Sequence, residues 1–119
     1  MELNLHTPMW LTQALREPLS RSPVGAVVSI SSSAGLGTDA YGSPEYAAAK
    51  AGLIRFTTSV ADWPIRVACV VPGWIGLPRA FVEREAMPVD ARPPLIPPAR
   101  IAAGGAALAL ARRRTLSPR

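Results

Sequence analysis

The chain has 119 residues, 49% of them hydrophobic, and a formal charge of +5, enough for one domain with a core and too little for two ordinary ones. Four of its thirteen cations, Arg112, Arg113, Arg114 and Arg119, fall in the last eight positions, so the body is nearly neutral and the excess reads as a solvated basic tail at 112–119, with no nucleic-acid surface expected. No apolar run approaches the roughly 20 residues of a membrane span, the acidic start lacks signal-peptide character and Cys69 has no second thiol for a disulfide or metal, so we expect a cytoplasmic protein with no metal and no membrane partner.

In chain order, residues 3–19 place Leu3, Leu5, Met9, Leu11, Leu15 and Leu19 at mostly three- and four-residue spacing, which predicts an amphipathic helix ending near Pro18. Residues 24–30, Val-Gly-Ala-Val-Val-Ser-Ile, are β-branched without alternation and predict a strand covered on both faces. A loop rich in Gly, Ser and Thr follows over 31–42. Ser43-Pro44-Glu45 has the order of an N-cap, a first-turn proline and a first-turn acid, predicting a helix over 45–60. Residues 65–71 form a second buried strand, ended by Pro72-Gly73. Five prolines between 88 and 98 predict a loop or lid, and 99–111 a final alanine-rich helix weakened by Gly104-Gly105. Strands alternating with helices imply an α/β fold with a parallel sheet and right-handed crossovers.

Lys50 is the sole lysine among thirteen cations, although lysine and arginine differ in chemistry. It stands four residues after Tyr46, so both project from one helix face. An ammonium beside a phenol favours the phenolate and brings it toward proton exchange with a carbonyl or alcohol oxygen. Tyr-x-x-x-Lys alone is a weak signal, but its surroundings add to it. A strand ends in Ile30-Ser31-Ser32-Ser33-Ala34-Gly35 just before this helix, and the next runs Ile65-Arg66-Val67 into Pro72-Gly73. Both open onto the carboxyl edge, where parallel sheets bind ligands.

With Ala51-Gly52-Leu53 after the lysine and Asn4 in the first helix, the block strongly resembles the short-chain dehydrogenase/reductase family over most of residues 3–77. The resemblance implies a partial Rossmann-like, doubly wound sheet of about two strands with three or four helices, forming one catalytic segment over 1–111. It implies hydride transfer between NAD or NADP and a small alcohol/carbonyl pair. Tyr46 would exchange the substrate proton, Lys50 would hold the nicotinamide ribose, Ser32 the substrate oxygen and Asn4 a water. Pro72, Gly73 and the Ile75 backbone would flank the nicotinamide. Ser33 competes with Ser32, because the spacing from Ser32 to Tyr46 is fourteen and thirteen is commoner. The family also pairs helices equivalent to 3–19 and 45–60 between subunits, implying a homodimer or tetramer.

Two positions depart from the pattern: Leu77, where many members have threonine, and Ala68, where asparagine is usual. The family's glycine-rich pyrophosphate turn has no counterpart in this sequence, so the chain is expected to be the C-terminal, catalytic half of such an enzyme. The alternative is a non-catalytic remnant acting at most as an interaction module. Gly37 to Ser43 lacks the Lys-Ser/Thr of a phosphate loop, and Gly35-Leu36-Gly37 lacks the third glycine of a dinucleotide turn. His6, Tyr41, Trp10, Trp63 and Trp74 read as structural.

Overall fold

The computed structural model describes residues 1–37 and 41–111; the basic tail at 112–119 and part of the 31–42 loop lie outside the described residues. A π-helical turn, Glu2–His6, runs directly into α1, Thr7–Ser20. Thr12 satisfies its buried hydroxyl on the Pro8 carbonyl at 2.7 Å. Pro18 sits inside the last turn, where it removes one amide from the ladder and crowds the carbonyl four residues earlier, and the helix still continues to Ser20. Strand β1 covers Ala26–Ile30, α2 Pro44–Ser59 and β2 Arg66–Val70. Ser43 occupies the cap position without a side-chain cap bond; its carbonyl accepts from the Ala47 amide at 3.1 Å.

The strands pair in parallel, Ala26 against Arg66 through Ile30 against Val70, as a helical crossover between consecutive strands requires. The ladder runs on past the carboxyl ends of the two strands: Ser31 N–H donates to Val70 at 2.8 Å and Ser33 N–H to Pro72 at 2.9 Å. Successive side chains alternate between faces. Cys69 turns toward Thr57 of α2, while Val28 turns toward Gly105 of α4, Pro98–Leu110. Helices therefore lie on both faces of the two-stranded sheet, the doubly wound arrangement in part. Ala68, at the position where asparagine is usual, is the register partner of Val28 on the α4 face.

The buried apolar cluster lies around α2, where Ala49, Leu53, Val60 and Ile65 are each at most 5% exposed. Contrary to the expectation of strands covered on both faces, β1 and β2 are only half-buried, and Ile30 is exposed. Among the described residues β1 and β2 pair only with each other, so each strand keeps one edge without a sheet partner.

Beyond β2 the structure is more regular than the prolines suggest. Helix α3, Pro78–Glu85, which was not expected, begins with proline in its first turn and carries an Arg79–Glu83 pair at 2.6 Å, one turn apart. Ile96 N–H donates to Trp74 at 2.7 Å and Gly76 N–H to Ile96 at 2.8 Å, forming a parallel bridge between Ile75 and Ile96. Prolines leave carbonyls without neighbouring amide donors, and arginines supply the donors: Arg84 Nε to Pro93 at 2.9 Å, and Arg92 to Met87 at 3.2 Å and Glu85 at 3.1 Å.

The approach of the 3-10 turn Ser33–Gly35 to α2 requires glycine. A Cβ on Gly35 would lie 2.6 Å from the Ala51 nitrogen and 2.7 Å from the Lys50 carbonyl carbon. Gly35→Ala is therefore expected to lower the urea midpoint by the equivalent of about 1–3 kcal/mol. Gly37→Ala, with open space around it, should shift it by less than about 0.5 kcal/mol. Equal midpoints for the two variants would refute the close approach.

Candidate active site

The two strands deliver their ends to one edge, and α2 crosses behind it. Three consecutive serines leave β1, each with its hydroxyl differently engaged. Ser31 is buried and donates to the Lys50 carbonyl at 2.7 Å. Ser32 is half-buried and caps the 3-10 turn, accepting from the Ala34 amide at 3.2 Å. Ser33 is exposed and lies beside Gly73, its Oγ 4.0 Å from where a Gly73 Cβ would be.

Tyr46 stands in the first turns of α2, half-buried, with Tyr41 stacked on it at 6.2 Å between centroids. Lys50 follows one turn later. Its ammonium lies 5.6 Å from the centre of the Tyr46 ring and donates to the Ile30 carbonyl at 2.8 Å. Asn4, on the π-helical turn, lines the same groove as Lys50, a cleft of about 360 Å³ between α1, β1 and α2 walled by Leu11, Leu15, Val27 and Leu53. Across the edge, Pro72 is buried and holds Ser33 through its carbonyl, Gly73 is exposed, and Ile75 is fixed by its bridge to Ile96.

The fold thus brings Tyr46 to Lys50, Lys50 to Asn4, and Ser33 to the Pro72-Gly73 turn. Among the described residues no hydrogen bond joins Ser32 to Tyr46. Ser31 and Gly35, read from sequence as ordinary loop residues, turn out to hold Lys50. Their signal was positional, since the first residues past a strand face the helix that follows. Tyr41, which reads as structural in the sequence, stacks on Tyr46 beside the site. Among the described residues, no group of three or more His, Cys, Asp or Glu side chains is placed to hold a metal ion, and no helix is long and apolar enough to cross a membrane.

These elements define a protein class. The profile of the family described as short chain dehydrogenase matches residues 1–86, and the chain belongs to that family. It is 38% identical over 79 residues to nodulation protein G of Rhizobium sp. (strain N33), covering 63% of this chain and 32% of that protein. The same identity, length and coverage relate it to the 3-oxoacyl-(acyl-carrier-protein) reductase FabG of Chlamydia muridarum. Over 112 residues it is 34% identical to the acetoacetyl-CoA reductase of Acinetobacter sp. (strain RA3849), covering 87% of this chain and 45% of that enzyme. The chain therefore spans from about a third to under half the length of these relatives.

Beneath the site, Cys69 has its thiol pushed up from the ordinary range. Burial is the main cause, offset in part by hydrogen bonds with Thr57 and Ser31 and by the Lys50 charge. A raised value means that the fold favours the neutral thiol. Its contribution to stability is complete below the ordinary thiol range and is lost as pH rises through that range toward the raised value. At about pH 9, where a free thiol is largely ionised, iodoacetamide should alkylate the folded chain more slowly than the chain in urea. Equal rates would show a thiol that the fold does not shield.

Proposed function

We propose that this chain carries the catalytic part of an NAD(P)-dependent oxidoreductase acting on an alcohol/carbonyl pair. The observation that carries the proposal is the Tyr46–Lys50 pair, fixed on one face of α2 where two parallel strands end. The donors present fit the nicotinamide riboside end of such a cofactor. An ammonium has three protons; one is on the Ile30 carbonyl, leaving two for ribose hydroxyls. Gly73 leaves its turn open, with only Ile96 and Ser33 atoms at 4.0 Å from an added Cβ, room for a flat ring beside Pro72 and the Ile75 backbone. When bound, NAD or NADP supplies the hydride donor or acceptor.

This chain's own residues handle the proton. Tyr46 gives it to, or takes it from, the substrate oxygen. Lys50 stabilises the negative charge that develops on the phenol oxygen during transfer. Ser32 donates to the substrate oxygen, for which its hydroxyl proton is free while its lone pair accepts from Ala34; Ser33 is the competing donor. Asn4 orders a water in the groove it shares with Lys50. The reductase names of two relatives support the carbonyl-reducing direction.

The chain acts as a homodimer or tetramer in the cytoplasm, through residues 3–19 and 45–60. Leu3, Trp10 and Leu11 of the first helix are more than half exposed, and exposed Ala48 and Ala51 on α2 permit close helix approach. One observation favours the rival reading of a non-catalytic remnant: among the described residues the buried hydrophobic core is small, made by Ala49, Leu53, Val60 and Ile65.

Binding and turnover separate the two readings. The 119-residue chain should bind NAD or NADP no tighter than millimolar by calorimetry, because its sequence contains no glycine-rich pyrophosphate turn, and should show no measurable turnover. Fusion to an N-terminal Rossmann half should restore both. In that fusion Tyr46→Phe should reduce turnover by at least about a hundredfold with cofactor affinity nearly unchanged. A fusion that binds the cofactor but stays inactive would favour the remnant. Light scattering at micromolar concentration should show a dimer or larger, and a monomer would remove the proposed helix interface.

A further inference from the structure

Lysine has four methylenes and many rotamers, so a useful ammonium position must be imposed from outside. Here both ends of the residue are held by the last residue of β1 and the one that follows it. The Ser31 hydroxyl donates to the Lys50 main-chain carbonyl at 2.7 Å, and the Lys50 ammonium donates back to the Ile30 carbonyl at 2.8 Å. A mid-helix carbonyl keeps a second lone pair beyond the helix ladder, so Ser31 can engage it without breaking α2. Ser31 is itself immobile: it is 3% exposed and its amide is tied to Val70 at 2.8 Å. Gly35 leaves room beside the same carbonyl, where an added Cβ would come to 3.0 Å from its oxygen.

We propose that Ser31 is the positioning residue for Lys50, setting where the lysine stem leaves α2 so that its ammonium reaches the Ile30 carbonyl and the open edge beyond. The three serines thereby divide their labour. Ser31 acts through Lys50, while Ser32 and Ser33 remain beside the substrate. The importance of this role for catalysis rests on the oxidoreductase reading; the geometry does not.

The test uses the whole chain and needs neither cofactor nor turnover, so it can fail independently of that reading. Lys50 is the only lysine, and its ¹⁵Nζ resonance is therefore unambiguous. In the native chain the ammonium should exchange slowly with solvent. In Ser31→Ala exchange should accelerate by roughly threefold to tenfold, the factor that an ordinary net hydrogen bond corresponds to, with α2 amide protection retained. Ser31→Thr, which keeps the hydroxyl, should preserve the native signal, and its near-isostere Ser31→Val should lose it. Identical ammonium exchange in the Thr and Val variants would overturn the proposal. Unfolding of Ser31→Ala and Ser31→Val alongside a native Ser31→Thr would also overturn it, by assigning the hydroxyl to global stability.

Discussion

The arrangement at the carboxyl edge depends on how the end of β1 meets the middle of α2. Two hydrogen bonds run in opposite directions there, from a strand-end hydroxyl to a helix carbonyl and from a helix ammonium to a strand-end carbonyl. Because both involve Lys50, they fix the helix along its axis and about it. Gly35 makes the approach possible by having no side chain to hold the backbones apart. The Ser31–Val70 and Ser33–Pro72 bonds then tie the same stretch to the end of β2. The positions of Tyr46, Asn4 and the Pro72-Gly73 turn relative to one another follow from this junction.

The elements that carry the site were legible because they are local. Val27-Val28 and Val67-Ala68-Cys69-Val70 are too short and too β-branched for helices. Pro44 and Glu45 open α2 whether or not Ser43 bonds to it, so the helix was readable even though its expected cap is not made. The four-residue step from Tyr46 to Lys50 is a property of any α-helix. What escaped reading depends on partners distant in the chain. Ile96 lies in a run of prolines, and only its pairing with Trp74 and Gly76 gives it order. Helix α3 has few apolar residues and is supported by an ion pair and by Arg84 reaching Pro93, neither of which periodicity detects. The extent of burial was also misjudged. Composition shows that a strand can be covered, but not how many neighbours the sheet has.

Arginine has a second role beside the site. Of the cations beyond β2, Arg84 and Arg92 spend their donors on carbonyls of a segment in which proline has removed the amides. Arg66 does the same at the opposite edge, donating to Ala109 at 2.5 Å near the end of α4 and to Val24 at 3.3 Å. These guanidinium groups act as internal fasteners, so the formal charge overstates how much positive surface faces solvent.

The first helical stretch has a consequence for access to the groove. At about 100° per residue, the seven residues from Asn4 to Leu11 come within about 20° of two full turns, so Asn4 stands on the same stripe as Leu11 and Leu15 even though the chain passes through the π-helical turn Glu2–His6. Thr7 and Thr12 lie on that stripe as well. One helix face thus grades from apolar Leu15 to polar Asn4, and the groove becomes wetter along the helix toward the end that Lys50 shares.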